Sequence, residues 1–453
     1  LILSIRWQRL MCIIDRYFMY QYLQQQASTD LGWGFYIPLI AILVMVILAV
    51  PVWVSLGLGT IGILYFTEAL PLSLMGDSLF AGIDHFALIA IPLFILTGDI
   101  LARTGLANKL LDIAEATVGG FRSGFGTATV LGCGFFACIS GSDAAGAAAV
   151  GRMTIGRLVE QGYPKAYACA LVAGGACTGI LIPPSIAYII IGLVLGISAS
   201  TLFLAAVIPG LLVMFAIMIT NVIMNRIYKY EHSNMKFSFK RWIKAIYNGR
   251  FALMVPFIIL GGIYSGIFTP TEAAAVAVVS TLIIGLIQGT ISMSDFPKMM
   301  ESSARVNGVI VPIIAISLPL AQALAILNIP QSFVTYMTTL TSDPTILILL
   351  MILILVIAGC VMETTPNIVI LSPLLLPLAQ EIGMNEIHFC IMMVTALGAG
   401  FITPPFGLNL FVVSTLTNTP ILPIAARAVP FVIALLSIVL LIAFIPQLSL
   451  WAF

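Results

Sequence analysis

Gly179-Ile180-Leu181-Ile182-Pro183-Pro184 and, 221 residues further on, Gly400-Phe401-Ile402-Thr403-Pro404-Pro405 decide how this chain folds. Each places a proline pair inside a long apolar run, and the spacing is about half of the 453 residues. Proline carries no backbone N–H, so two in succession end a membrane helix. Backbone freed in this way at membrane depth is tolerated only where protein buries it or a polar cavity faces it. Matched interruptions in two halves of an apolar chain point to the binding site of a secondary transporter.

The composition agrees. Hydrophobic residues make up 61% and charged residues 8% of the sequence, with a mean hydropathy of +1.14. A soluble domain carries about 25% charged residues, so the chain is an integral membrane protein. Roughly ten to thirteen apolar segments approach the ~20 residues a spanning helix needs, some of them short or interrupted. The net charge of +1 points to no nucleic-acid partner. Seven cysteines and three scattered histidines form no metal-ligand spacing and no disulfide framework. Residues 1–35 form an extension with Arg6, Arg9, Arg16 and a glutamine run. They read neither as a cleavable signal nor as a good span; an interfacial helix and the remnant of an upstream fusion both fit.

The stretch 226–250 is the most polar, with seven Lys and Arg residues against Glu231 alone. The positive-inside rule makes this linker cytoplasmic. It separates residues 36–225 from 251–453, and the offset of 221 pairs Gly162 with Gly383, Cys169 with Cys390, Gly179 with Gly400 and Pro209 with Pro430. That pattern predicts an internal duplication. Residues 151–165 hold Arg152, Arg157 and Lys165 against Glu160, whereas the equivalent 372–386 hold only Glu381 and Glu386. Corresponding loops of opposite charge belong on opposite faces, so the two repeats have inverted topology. Before each loop, a small polar tip divides an apolar stretch: 124–150 at Ser140-Gly141-Ser142-Asp143, and 345–378 at Glu363-Thr364-Thr365. Pieces near ten residues each are too short to cross ~30 Å, so each stretch is expected to be a re-entrant hairpin.

A tip and a break in each half define two candidate ion sites. The prolines leave carbonyls around Gly179 and Ile180 without donors, Ser140 and Ser142 add hydroxyls, and Gly141 permits the turn. Thr364, Thr365, Gly400, Phe401 and Thr403 play the same parts in the second half. Hard oxygen donors of this kind suit Na⁺. Small and hydroxyl residues also serve close helix packing, and both readings fit any one of them. A carboxylate at membrane depth costs ~2.5–3.5 kcal/mol and is functional by default. Asp143 and Glu363 are therefore cation ligands, proton carriers or partners of a buried base, or else carboxylates that cap helices. Glu272, after Thr269-Pro270-Thr271, reads as a helix-start residue.

Ile258-Ile259-Leu260-Gly261-Gly262-Ile263-Tyr264-Ser265-Gly266-Ile267-Phe268-Thr269-Pro270-Thr271-Glu272-Ala273-Ala274-Ala275 resembles a signature of the large membrane subunit of tripartite ATP-independent periplasmic (TRAP) transporters, of the ion-transporter superfamily. So do Gly179–Ser185, Thr364-Thr365-Pro366 with Leu371-Ser372-Pro373, and Phe401–Gly407; the likeness covers about 36–450. It implies an all-α polytopic protein with two inverted repeats, re-entrant hairpins and a scaffold carrying an elevator-type transport domain. It further implies a Na⁺-driven importer of organic acids (C4-dicarboxylates, sialic acid or keto acids) in the bacterial inner membrane. The partners so implied are a periplasmic substrate-binding protein and a small four-helix membrane subunit. Carried over, the Na⁺ sites fall on Ser140, Gly141, Ser142, Gly179, Ile182 and Pro183, and on Glu363, Thr364, Thr365, Gly400, Thr403 and Pro404. The substrate position falls on Ser142, Asp143, Ser185, Thr364, Thr365 and Phe406. Two residues depart from the family pattern: Asp143 follows Ser-Gly-Ser where a small neutral residue is usual, and Glu363 stands where Asp is usual.

A stand-alone Na⁺/dicarboxylate symporter of the same superfamily is the alternative within this fold. An embedded enzyme would need a nucleophile–base pair or a metal cluster, and the sequence offers neither. A channel shares broken helices but not saturable, ion-coupled uptake. No Gly-rich, Lys-containing phosphate loop signals ATP hydrolysis.

Overall fold

The computed structural model describes residues 32–48, 50–120, 123–231, 237–404 and 407–453, and among them every regular element is a helix. The expected extension of residues 1–35 lies almost wholly outside the described residues. The chain opens with α1 (Trp33–Ile47), α2 (Val52–Thr67) and α3 (Ser73–Ile83). Next come α4 (Ala90–Arg103), α5 (Leu106–Val118), the pair α6 (Gly124–Ser140) and α7 (Asp143–Glu160), then α8 (Lys165–Ala176), α9 (Ile186–Leu195) and α10 (Ala199–Tyr228). Past the linker follow α11 (Phe239–Asn248), α12 (Arg250–Tyr264), α13 (Pro270–Ile287), α14 (Phe296–Ile326) and α15 (Ile329–Leu340). The pair α16 (Pro344–Val361) and α17 (Thr364–Glu381), then α18 (Glu386–Gly400), α19 (Leu408–Thr417) and α20 (Ile421–Phe444), complete it.

Among the described residues, six helices are long and apolar enough to cross a membrane, or seven with the bent pair α11–α12. Seven shorter apolar helices account for the interrupted segments of the sequence. Helix gives way at both breaks: α8 tightens into a 3₁₀ turn at Cys177–Ile180 and helix resumes only at Ile186, and α18 ends at Gly400. The 221-residue offset carries the first residue of α7, Asp143, onto that of α17, Thr364, and Lys165 of α8 onto Glu386 of α18. The turns Gly162 and Gly383 are equivalent too, both left-handed with φ of 102° and 77°.

The tip-bearing helices are longer than the sequence suggested. α6 and α7 have 17 and 18 residues, and α16 and α17 have 18 each, rather than about ten. In α7 the outer turns are polar, and ionic partners carry the helix beyond its apolar part. In α7 the extra turns bring Arg157 to Glu115 of α5, Nη2 to Oε2 at 2.7 Å, and Arg241 of α11 meets the other oxygen at 2.7 Å. The start of α6 is held from the linker, where Glu231 accepts the Phe125 N–H at 3.2 Å and the Tyr163 hydroxyl at 2.8 Å. Burial raises the Glu231 carboxyl above its ordinary range. The expected start at Glu272 is a reciprocal capping box: Thr269 Oγ1 accepts the Glu272 N–H and Glu272 Oε2 accepts the Thr269 N–H at 2.8 Å, with Pro270 in the first turn.

Two compact units divide the chain, and they are not its two halves. One holds the residues up to Asp84 together with Pro312–Thr339; the other holds His85–Val311 and Leu340–Phe453. In the first, α2 packs along α1, and Ser78 Oγ donates to Gln322 Oε1 at 2.9 Å. In the second, α8 from Tyr167 to Ala176 and α18 from His388 to Gly400 are buried on every face. Each lies against the tip-bearing pair of its own half, α8 on α6 and α7, α18 on α16 and α17. The resumed helices exchange: α19 packs on α7 and α8, and α9 on α17 and α18.

Candidate functional site

The first tip is built on Gly141, whose φ of +61° turns α6 into α7. Ser142 caps α7, its Oγ accepting the Ala145 N–H at 3.4 Å. Ser140 Oγ lies 3.5 Å from both the N–H and the carbonyl of Ser142, bracing the turn. The tip rests directly on the first break. A Cβ on Gly179 would stand 2.7 Å from the Ser142 carbonyl and the Asp143 nitrogen. The Gly141 carbonyl accepts the Ile186 N–H at 3.2 Å. So the tip oxygens and the first turn of α9 share one patch.

One expectation at this break needs correcting. The Ile180 carbonyl is not left without a donor, because Ser185 Oγ donates to it at 2.7 Å. The hydroxyl substitutes for an N–H that the prolines lack, and Ser185 itself is fully buried. The Ile182 N–H returns to Thr178 O at 2.8 Å. Ile182 and Pro183 are both buried.

The second tip is pinned differently. Asn367 Nδ2 donates to Ala358 O at 3.2 Å and to Met362 O at 3.0 Å, closing α16 onto α17. Glu363 occupies the helix-cap position but makes no capping hydrogen bond; in register it corresponds to Ser142, which does. The capping alternative for Glu363 is thereby removed. At the second break, Gly400 and Gly359 lie back to back, so that a Cβ on Gly400 would be 2.6 Å from the Val356 carbonyl. Thr403 Oγ1 donates to Ala399 O at 2.7 Å. The carbonyls of Phe401 and Thr403 both come within 3.1 Å of where a Gly407 side chain would begin. Pro404 is exposed, and Phe406 lies outside the described residues.

Both tips open on one pocket. Gly141, Ser142 and Asp143 line it from one side and Glu363, Thr364 and Thr365 from the other, with Ile180 and Ile186 between. Three helices therefore begin at this pocket, at Asp143, Ile186 and Thr364. Their N-terminal N–H groups give it a positive field, equivalent to about half a charge per helix. No Lys or Arg lines it. Ser140, Gly179, Ile182, Pro183, Ser185, Gly400, Thr403 and Pro404 are not among the residues that line it. Glu363 also lines a second pocket with Cys360, Leu408 and Phe411.

Sequence reasoning missed Asn409. It is fully buried in the first turn of α19, with Nδ2 at 3.4 Å from Ala173 O and 3.5 Å from Cys177 Sγ. The signal was present as a lone amide just after the second diproline. Among the described residues, Asp143 Oδ2, Asn409 Oδ1 and Asn367 Oδ1 are buried without a hydrogen-bond partner. Each such oxygen costs ~1–3 kcal/mol unless a donor or a cation meets it.

A helical membrane protein whose interrupted helices start at a shared, oxygen-lined pocket has the architecture of a secondary transporter. Residues 39–448 match the family model described as Tripartite ATP-independent periplasmic transporter, DctM component, and the chain belongs to that family. It is 39% identical over 398 residues to the C4-dicarboxylate TRAP transporter large permease protein DctM of Pseudomonas aeruginosa, covering 87% of this chain and 93% of the relative. It is 34% identical over 406 residues to the isethionate TRAP transporter permease protein DctMQ of Oleidesulfovibrio alaskensis, covering 89% of this chain and 64% of that longer protein. In fold it is similar to the YdaH transporter of Alcanivorax borkumensis, with a TM-score of 0.59 over 83% of this chain and 89% of the other at 15% identity. The chain is thus a transporter permease rather than an enzyme, and a multi-pass protein of the bacterial inner membrane.

Proposed function

We propose that this chain is the Na⁺-coupled permease of a tripartite system that imports a small organic acid by an elevator movement of two inverted repeats. A periplasmic binding protein delivers the acid, and a separate small membrane subunit completes the complex. The observation that carries this reading is the single pocket shared by both tips, where three helix N-termini face two carboxylates. The helix ends favour an anion. Asp143 and Glu363 oppose one until cations neutralise them. Na⁺ ions therefore bind first, at the tip hydroxyls and carbonyls and the two acids, and the substrate anion follows. Hard oxygen ligands without thiolate or imidazole suit Na⁺.

Support for the substrate class comes from relatives whose names carry a C4-dicarboxylate and isethionate, both small organic anions. Support for the small subunit comes from the combined name of the longer relative. Each net positive charge carried inward gains ~2.3 kcal/mol per 100 mV of membrane potential. Two Na⁺ with a dianion would leave only the concentration gradient as the drive.

Uptake into proteoliposomes, with Na⁺ and H⁺ gradients imposed separately and the binding protein added or withheld, tests the proposal. Accumulation should follow the Na⁺ gradient and require the binding protein. Uptake without that protein would instead identify a stand-alone symporter. Ser142→Ala and Thr365→Ala should each raise the Na⁺ concentration for half-maximal uptake by about tenfold, on the scale of losing one polar contact to a charge. Unchanged Na⁺ dependence in both variants would remove the ligand assignment.

A further inference from the structure

α11 turns by 69° from α12 across Gly249, so it lies across the direction of that span. Its surface is divided into three lengthwise stripes. Trp242, Ala245, Ile246 and Gly249 face the protein: Trp242 Nε1 donates to Thr117 Oγ1 at 3.1 Å, and Gly249 sits against Ile113. Beside them Phe239, Ile243 and Tyr247, four residues apart, are 64%, 49% and 64% exposed. Next around the helix come the exposed Lys240 and Lys244, which have no ion-pair partner among the described residues. Arg241 turns back to Glu115. Arg250 covers Tyr247 and Phe251, its guanidinium 4.3 and 4.6 Å from the ring centroids. Glu231, the one acid in 225–250, is committed to Phe125 and Tyr163.

A helix with protein on one side, an aromatic and aliphatic stripe next, and unpaired ammonium groups beyond is ordered as a water–lipid boundary is. Water alone would leave three large apolar side chains bare. The excess of positive charge selects the headgroup. We propose that α11 is a docking surface for anionic phospholipids, with Phe239, Ile243 and Tyr247 among the acyl chains and Lys240 and Lys244 on the phosphates. The docked helix is bonded through Arg241 and Glu115 to Arg157 of α7, one of the two helices that form the first tip.

Native mass spectrometry of the full chain in detergent, offered equal phosphatidylglycerol and phosphatidylcholine, tests this. The chain should retain phosphatidylglycerol in preference. K240Q/K244Q should lower that preference by about 25-fold, at about fivefold for each lysine near an anionic surface. Both lysines are exposed, so folding is not at stake, and K298Q/R305Q serves as the control that keeps the preference. Equal retention of the two lipids by the unaltered chain, or an undiminished preference in K240Q/K244Q, overturns the proposal. So does a dimer in lipid-free detergent that Ile243→Asp dissolves, since a second copy would then be the occupant.

Discussion

Asp143 and Glu363 place two acids on one pocket without a base among its lining residues. Asp143 is 4% exposed and its Oδ2 is without a partner among the described residues; the proposed function puts a coupling cation against it. Asp143→Asn keeps the shape and removes the charge. If uptake is Na⁺-coupled as proposed, the variant should be stable and its Na⁺ requirement should rise by about 10- to 100-fold, read from Na⁺ titration of uptake. Contacts at the breaks are equally specific. Gly400→Ala would push a methyl into the Val356 carbonyl and the Gly359 backbone. It should cost about 1–3 kcal/mol, seen as a lower thermal midpoint in detergent. Gly156→Ala on α7, with open space around it, should instead leave the midpoint unchanged or raise it, worth up to ~1 kcal/mol of helix propensity.

At the scale of elements, the start of α6 depends on a residue from another part of the chain. Glu231 accepts the Phe125 N–H there, while Asp343 caps the equivalent α16 locally by accepting the Thr345 N–H at 2.8 Å. Because burial raises the folded-state pKa of Glu231, its contribution is fully present at low pH and is lost as pH rises through that value. Glu231→Gln should remove this component, giving a thermal midpoint that falls less as pH rises from the ordinary carboxylate range. A midpoint profile identical to that of the unaltered chain would contradict it. The interruptions at Pro183-Pro184 and Pro404-Pro405 were readable because a missing N–H is a property of the residue type. The tips were readable because Ser-Gly-Ser and Glu-Thr-Thr interrupt apolar runs. Helix lengths were not, since the outer turns of α7 are held by Glu115, a residue 42 positions from Arg157. The role of Ser185 was hidden as well, because a hydroxyl satisfying a carbonyl five residues back looks in sequence like any other serine near a site.

For the whole molecule, the exchanged packing of α9 and α19 matters most. Neither half holds a complete set of neighbours for its own buried helix, since α8 is covered by α19 and α18 is touched by α9. Residues 1–231 and 237–453, produced as separate chains, should each be degraded alone and should copurify when made together. Stable, monodisperse material from either one alone would show that the exchange is dispensable. The division into one unit of residues up to Asp84 with Pro312–Thr339, and a second of the remainder, was invisible in the sequence. Repeats are encoded by similar local patterns, whereas compact units depend on which surfaces meet.

The contact between Asn409 and Ala173 joins positions 236 residues apart. At about 5–20 residues per second, the ribosome needs roughly 10–50 s to deliver the later one after the earlier. For that interval the nascent first half is already inserted with the underside of α8 uncovered. That face stays without its partner until almost the last helix arrives. Slowing translation late in the message should therefore lower yield more than slowing it early.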